Sequence, residues 1–278
     1  MRLLIVGGSG FIGRSLVEYL QHHGHTAIAT GYTRRADIQL DARSITKLSD
    51  YFKLNDFDLV INLAGAFRDN LDVNTCSSMN IVEAMYLARK TSRFIHVASA
   101  TENLAAKSTA HESEYSFTKE IGTANYTSAL ARTGFNGMTL VLHNTYGRLQ
   151  PDDRFIAASR KTLASGKILK LNYPQRIRDF VYQPDVNLAF ELAIDELFSE
   201  PTYSHQFKEI GTGTGVTLYD AALIIATTLG LGPDMITTES QEGPDQHSER
   251  TALLDSRHTY ICKTSLIDGI RELTRTSL

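Results

Sequence analysis

Tyr115 and Lys119 stand four residues apart in a stretch of helical period, which puts both side chains on one face, one turn apart. A phenol with an ordinary pKa of about 10 exchanges protons poorly at neutral pH. A neighbouring ammonium stabilises the phenolate and turns the pair into an acid/base group. The spacing alone is weak, since Tyr86 and Lys90 repeat it. Position separates the two pairs. Tyr86 precedes the apolar run Phe94 to Ala98, whereas Tyr115 follows that run, whose end carries the hydroxyl of Ser99.

A second chemical feature lies at the start of the chain. Gly7-Gly8-Ser9-Gly10-Phe11-Ile12-Gly13 follows an apolar strand, Leu3 to Val6, and opens a helix with Ile12, Leu16, Val17 and Leu20 on one side. In that context glycines permit a tight turn, let a pyrophosphate approach the backbone and expose the N–H groups of a helix start. Dinucleotide contacts are therefore expected from Gly7, Ser9, Gly10, Phe11, Ile12 and Gly13. An NAD site usually has an acid at the end of the second strand, roughly 20 residues past the glycines. Here Thr30-Gly31 occupies that place and Arg34 and Arg35 follow. Guanidinium groups suit a 2′-phosphate, so NADP(H) is favoured over NAD(H). The alternative has both arginines solvated and Asp37 on the ribose. Asp41 is a candidate adenine contact.

These residues need a scaffold. Short apolar runs at Thr26–Thr30, Asp58–Leu63, Phe94–Ala98 and Gly137–Leu142 alternate with helical segments, including Met79–Arg89 and Tyr115–Arg132, with a polar loop at Thr101–Glu114 between the third run and the second helix. Such a rhythm predicts an α/β fold, a Rossmann-type doubly wound parallel sheet. All 6 prolines lie at or beyond Pro151, which predicts a smaller C-terminal lobe. The 278 residues carry 28 Lys+Arg against 31 Asp+Glu, with no basic footprint for nucleic acid. A mean hydropathy of -0.18 argues against a polytopic membrane protein. Cys76 and Cys262 lack metal-ligand spacing, and the histidines offer no helical ligand pair with a third ligand, so no metal site is expected. The apolar run after Arg2 breaks at Gly7-Gly8, unlike a signal peptide, and a cytoplasmic protein is expected.

Taken together, these segments resemble the extended short-chain dehydrogenase/reductases, specifically the NAD-dependent epimerase/dehydratase group acting on nucleotide sugars. Val60-Ile61-Asn62-Leu63-Ala64-Gly65 resembles the fourth-strand motif beside the cofactor. Asn74 with Asn80 to Ala84 is similar to the following helix, and Phe94 to Ser99 to the strand bearing a catalytic hydroxyl. Asn144-Thr145-Tyr146-Gly147 resembles a turn near the substrate phosphates, and Arg178-Asp179-Phe180-Val181-Tyr182 with Asp185-Val186 a diphosphate-binding segment.

The resemblance implies a dinucleotide domain over residues 1–145 and about 179–205, and a nucleotide-sugar lobe over 146–178 and 206–278. It makes Tyr115 the acid/base, Lys119 its tuner and ribose anchor, and Ser99 a hydrogen-bond donor to the reacting oxygen. Leu63, Ala64, Gly65 and Asn80 join the cofactor contacts, and His143 lines the nicotinamide pocket. Thr101, Asn144, Arg178 and Arg250 are the substrate contacts. Arg178 has an alternative reading, an ion pair with Asp179 or Asp185. Gapless alignment puts Ala100 where the family has its hydroxyl, so Ser99 or Thr101 substitutes. The carboxylate pair of the dehydratases is missing, with Glu102 alone nearby. The expected reaction is NADPH-dependent reduction of a nucleotide-linked 4-keto-6-deoxyhexose. Alternatives are an epimerase with tightly held NAD, a 4,6-dehydratase and a non-catalytic dinucleotide-binding module. A nucleotide-diphosphate sugar is the expected partner, and a homodimer through the helices at 79–89 and 115–132 the expected assembly.

Overall fold

A computed structural model describes residues 1–32, 36–90, 93–102, 110–199, 205–239 and 251–275. The chain divides into two compact units, residues 1–141 with 187–208, and residues 142–186 with 209–278.

The first unit opens with β1 (Arg2–Val6), α1 (Phe11–His22), β2 (Thr26–Gly31), β3 (Ile38–Gln39), α2 (Ile45–Leu54) and β4 (Leu59–Asn62). It continues with α3 (Asp72–Leu87), β5 (Arg93–Ser99), α4 (Ala110–Thr133) and β6 (Gly137–Leu142). The second unit contains β7 (Asn144–Tyr146), α5 (Phe155–Ala164), β8 (Leu169–Leu171), β9 (Ile177–Arg178) and β10 (Phe180–Tyr182). Helix α6 (Gln183–Ser199) leads back to the first unit, and β11 (His205–Gly211) returns to the second. There β12 (Val216–Thr217), α7 (Leu218–Thr228), β13 (Ile236–Thr238), β14 (Thr259–Ile261) and α8 (Leu266–Arg275) complete the chain.

Strands β3-β2-β1-β4-β5-β6-β11-β14 form one sheet. Its β1–β2, β1–β4, β2–β3 and β4–β5 pairs are parallel. The order reverses direction at β1 and β4, the switch point at which doubly wound sheets leave a crevice beyond the strand ends. Strands β1 and β4 are apolar and buried on both faces because helices cover both. One face packs Leu4, Val6, Val60 and Phe94 with Leu48 and Phe52 of α2, Ile81 and Met85 of α3 and Tyr126 and Leu130 of α4. On α1, Ser15 and Tyr19 bond Asn187 and Glu191 of α6, which joins those two helices. Each large side chain so buried is worth about 1.5–3 kcal/mol.

In the second unit, short pairs β7–β10, β9–β12 and β8–β13 surround a separate core. It contains Tyr146, Ile156, Phe180, Ile225 and Ile270. Tyr146 of the Asn-Thr-Tyr-Gly segment is therefore a core residue.

Two helices begin earlier than their apolar periodicity predicts, α3 at Asp72 and α4 at Ala110. In α3 the reason is buried polarity. Asn74, Ser77 and Ser78 face inward with hydrogen-bond partners, which erases the apolar stripe. Helix α4 lies close by: a Cβ on Gly122 would stand 2.0 Å from the Asn74 carbonyl oxygen. Among the described residues, no helix is long and apolar enough to cross a membrane.

Candidate active site

The turn after β1 is shaped by what its glycines lack. Gly7 has φ +81, and a Cβ there would meet the Ala64 nitrogen at 2.6 Å. A Cβ on Gly13 would meet the Gly7 oxygen at 2.5 Å, and one on Gly8 the Ala29 Cβ at 2.7 Å. The turn is tied to β2 because the N–H groups of Gly7 and Gly8 both donate to the Thr30 carbonyl, at 2.8 and 3.0 Å. Gly10 precedes α1 without a side-chain cap. Ser9, Phe11 and Ile12 are half-buried around this start, and Gly10 is exposed. The bare helix start and the absence of Cβ atoms make a cradle that fits a pyrophosphate.

The end of β2 lies against the same turn. A Cβ at Gly31 would lie 2.6 Å from Ser9 Oγ, so a side chain at that position would have to turn the Ser9 hydroxyl aside. Asp37 takes the Ala29 N–H at 3.0 Å, and its carboxylate is thus turned onto the strand. Arg34 and Arg35 lie outside the described residues, as does Arg250. Asp41 forms a two-pronged pair with Arg43, Nε to Oδ1 and Nη2 to Oδ2, both 2.9 Å. The Arg43 bonds hold the Asp41 carboxyl below its usual range. Arg43 also lies over the Tyr32 ring, 5.2 Å from its centroid. Asn80 donates to the carbonyls of Ala42 and Arg43, at 3.3 and 3.0 Å, and so fixes the segment bearing that pair.

Beyond β4, Leu63 and Ala64 are half-buried and Gly65 exposed. Asn62 accepts the Ala64 N–H at 3.0 Å. Asn74 grips the next residue from both sides, accepting the Ala66 N–H at 2.9 Å and donating to its carbonyl at 2.8 Å. The same amide donates to Thr118 Oγ1 at 3.1 Å, joining this loop to the helix turn of Tyr115 and Lys119.

At the end of β5, Ala100 turns its methyl inward and is 5% exposed. That leaves Ser99 and Thr101 on either side, their hydroxyl oxygens 2.8 Å apart. Lys119 reaches from α4 to this strand and donates Nζ to the Val97 carbonyl at 2.6 Å. The lysine is 7% exposed, and burial lowers its pKa while Glu102 raises it. Tyr115 is half-buried one turn earlier, its ring 4.9 Å from that of Phe67. A buried lysine one helical turn from a phenol, tied to the strand that ends in two hydroxyls, is an arrangement for moving a proton to or from a bound oxygen.

In the second unit, His143 is buried, with Nε2 3.3 Å from Glu209 and Nδ1 without a hydrogen-bond partner among the described residues. Asn144 and Arg178 are half-buried on β7 and β9, and Asn144 donates its N–H to the Asp179 carbonyl at 2.9 Å. The Asp179 carboxylate accepts the N–H groups of Thr212, Gly213 and Ala252, and Asp185 accepts from Thr264. Both acids thus hold backbone in place. Arg178 Nη1 donates to the Ile177 carbonyl at 2.8 Å.

Sequence reasoning does not single out Arg43, Phe67 or Thr123. Arg43 has a local signal, two residues beyond Asp41, whereas the other two acquire their neighbours only through the tertiary fold.

The model of the NAD dependent epimerase/dehydratase family matches residues 3–205, and the chain belongs to that family. Its Rossmann-like α/β fold is shared with solved epimerase and dehydratase structures. A UDP-glucose 4-epimerase of Thermus thermophilus, solved with NAD, is 20% identical with a TM-score of 0.80, the match covering 100% of both chains. A UDP-glucose 4-epimerase of Thermotoga maritima, solved with UDP-glucose, is 19% identical with a TM-score of 0.83, over 100% of this chain and 99% of the other. A dTDP-glucose 4,6-dehydratase of Bacillus anthracis, solved with NAD, is 19% identical with a TM-score of 0.81, over 99% and 96%.

Proposed function

We propose that this chain is an NADPH-dependent reductase of a nucleotide-linked 4-keto-6-deoxyhexose. The observation that carries the reading is the buried Lys119, anchored on Val97 beside the Ser99 and Thr101 hydroxyls and one turn from Tyr115. The glycine turn from Gly7 to Gly13, the loop Leu63 to Gly65 and the segment of Asp41 and Asn80 would hold the dinucleotide. A reduced nicotinamide supplies the hydride when bound. Tyr115 gives its phenolic proton to the carbonyl oxygen of the sugar, and the Lys119 charge eases that loss. Ser99 or Thr101 donates a hydrogen bond to the same oxygen and favours the charge that develops there. Asn144 and Arg178 in the second unit, with Arg250, are assigned to the nucleotide diphosphate, for which a guanidinium is the fitting partner. His143 is assigned to the nicotinamide side.

Two features support NADP(H) over NAD(H). The strand-end position is Gly31, with no acid to hold a ribose 2′-hydroxyl, and Asp37 is turned onto the Ala29 N–H. Elimination of water is less well served than reduction, because both oxygens of Glu102 accept hydrogen bonds, from Ser99 N–H and Thr123. An epimerase remains the second reading, favoured by the similarity to two UDP-glucose 4-epimerases.

Purified protein should oxidise NADPH in the presence of a nucleotide-linked 4-keto-6-deoxyhexose and not with unlinked sugars. Copurified NAD, with interconversion of sugar nucleotides and no net cofactor use, would instead establish the epimerase.

A further inference from the structure

Glu102 is a half-buried carboxylate just past β5 with two protein donors. Its Oε1 accepts the Ser99 N–H at 2.8 Å and its Oε2 accepts the Thr123 hydroxyl at 2.9 Å. Thr123 Oγ1 lies 3.0 Å from His96 Nε2, and His96 Nδ1 lies 2.7 Å from Ser78 Oγ. Ser78 in turn accepts from Asn62 Nδ2 at 2.7 Å, and Asn62 Oδ1 accepts the Ala64 N–H at 3.0 Å.

The directions in this series follow from the ends. An ionised carboxylate only accepts, so the Thr123 hydroxyl must donate to it and has a lone pair left for His96 Nε2–H. His96 is then neutral, with Nδ1 free to accept from Ser78, whose hydroxyl takes the Asn62 amide proton. Every donor points toward Glu102. Aligned hydrogen bonds of this kind strengthen one another in a low-dielectric interior. Burial, with the charges of Lys119 and His205 adding to it, holds the His96 pKa well below the ordinary value. Lys119 and Glu120 are the charges facing Glu102. Burial pushes the Glu102 carboxyl up, and Lys119 with the Ser99 and Thr123 bonds pulls it down.

We propose that Glu102 is a positioning residue: it terminates a one-way hydrogen-bond chain that runs from the Ala64 loop to the turn after β5. The strand-end turn and the loop beyond β4 are thereby held as one unit. The effect on turnover rests on the proton-transfer reading above, whereas the chain itself rests on geometry and is tested without cofactor or substrate.

The test uses the full chain with isotope-labelled histidine, observed through its ring-nitrogen shifts between about pH 5 and 8. In the wild type, His96 should carry its proton on Nε2 and should not titrate. In Glu102→Gln, whose amide nitrogen donates to Thr123 instead of accepting, that tautomer preference should be lost. With NADPH and a keto-sugar nucleotide, Glu102→Gln should lower kcat about tenfold or more and leave KM nearly unchanged, and Glu102→Asp should recover most of the loss. Should Glu102→Gln not fold, Thr123→Val cuts the same chain and should likewise release the tautomer.

A wild-type His96 that titrates or carries its proton on Nδ1 overturns the chain. A folded Glu102→Gln protein with wild-type kcat overturns the positioning role. Absence of any keto-sugar reduction by the wild type would refute the proposed function instead, and the His96 signal would still decide on the chain.

Discussion

After β1 the backbone makes room through its glycines, whereas after β5 polar atoms are tied into a series that draws on α4, α3 and the end of β4. Both regions lie at the carboxyl ends of strands in the same parallel sheet. In the first, a Cβ on Gly7 or Gly13 would come within 2.6 Å of backbone atoms, so added volume is the threat. In the second, Lys119 is buried and Glu102 half-buried, and the threat is the loss of a partner. One region should therefore fail by crowding and the other by charge, and substitutions can separate the two.

The largest effect is expected at Lys119. Lys119→Met nearly preserves volume and removes the cation beside the phenol, and kcat should fall by about 10²–10⁴ with cofactor-free folding intact. Steady-state rates and circular dichroism on the same preparation check it.

Gly13→Ala should behave in the opposite way. The methyl would press on the Gly7 oxygen at 2.5 Å, costing about 1–3 kcal/mol of stability or dinucleotide affinity, with little change in the rate of the bound complex. Denaturant titration and cofactor fluorescence distinguish these terms.

A smaller effect should appear with pH. The folded pKa of His96 is depressed by burial, Lys119 and His205, so the folded state binds fewer protons than the unfolded chain at mildly acid pH. Stability should therefore fall as pH drops below about 6.5, the unfolded histidine value. The share from His96 is up to about 1.4 kcal/mol per pH unit, and His96→Asn should flatten the slope by that amount in urea melts.

The two regions also differ in how far they can be read from sequence. The glycine turn is local: a strand, seven residues and a helix start are consecutive, and their steric meaning does not depend on distant partners. The resemblance of Phe94 to Ser99 to a catalytic strand is likewise local. The wiring behind it is not. Asn62 and Ser78 are 16 residues apart, Ser78 and His96 18, and His96 and Thr123 27. None of those residues has a neighbour in sequence that announces its partner. Buried polarity also hid the first turns of α3, where Asn74 replaces an apolar contact by a grip on Ala66. At Asp37 the sequence left two uses open, and only the fold turns the carboxylate onto Ala29.

Tyr115 is where the account is most exposed, because volume and fold are preserved when its hydroxyl is removed. Tyr115→Phe should bind NADPH as the wild type does and reduce the keto-sugar nucleotide about 10²–10⁴ times more slowly in a single turnover. Equal single-turnover rates for the two proteins would contradict a phenol as the proton donor.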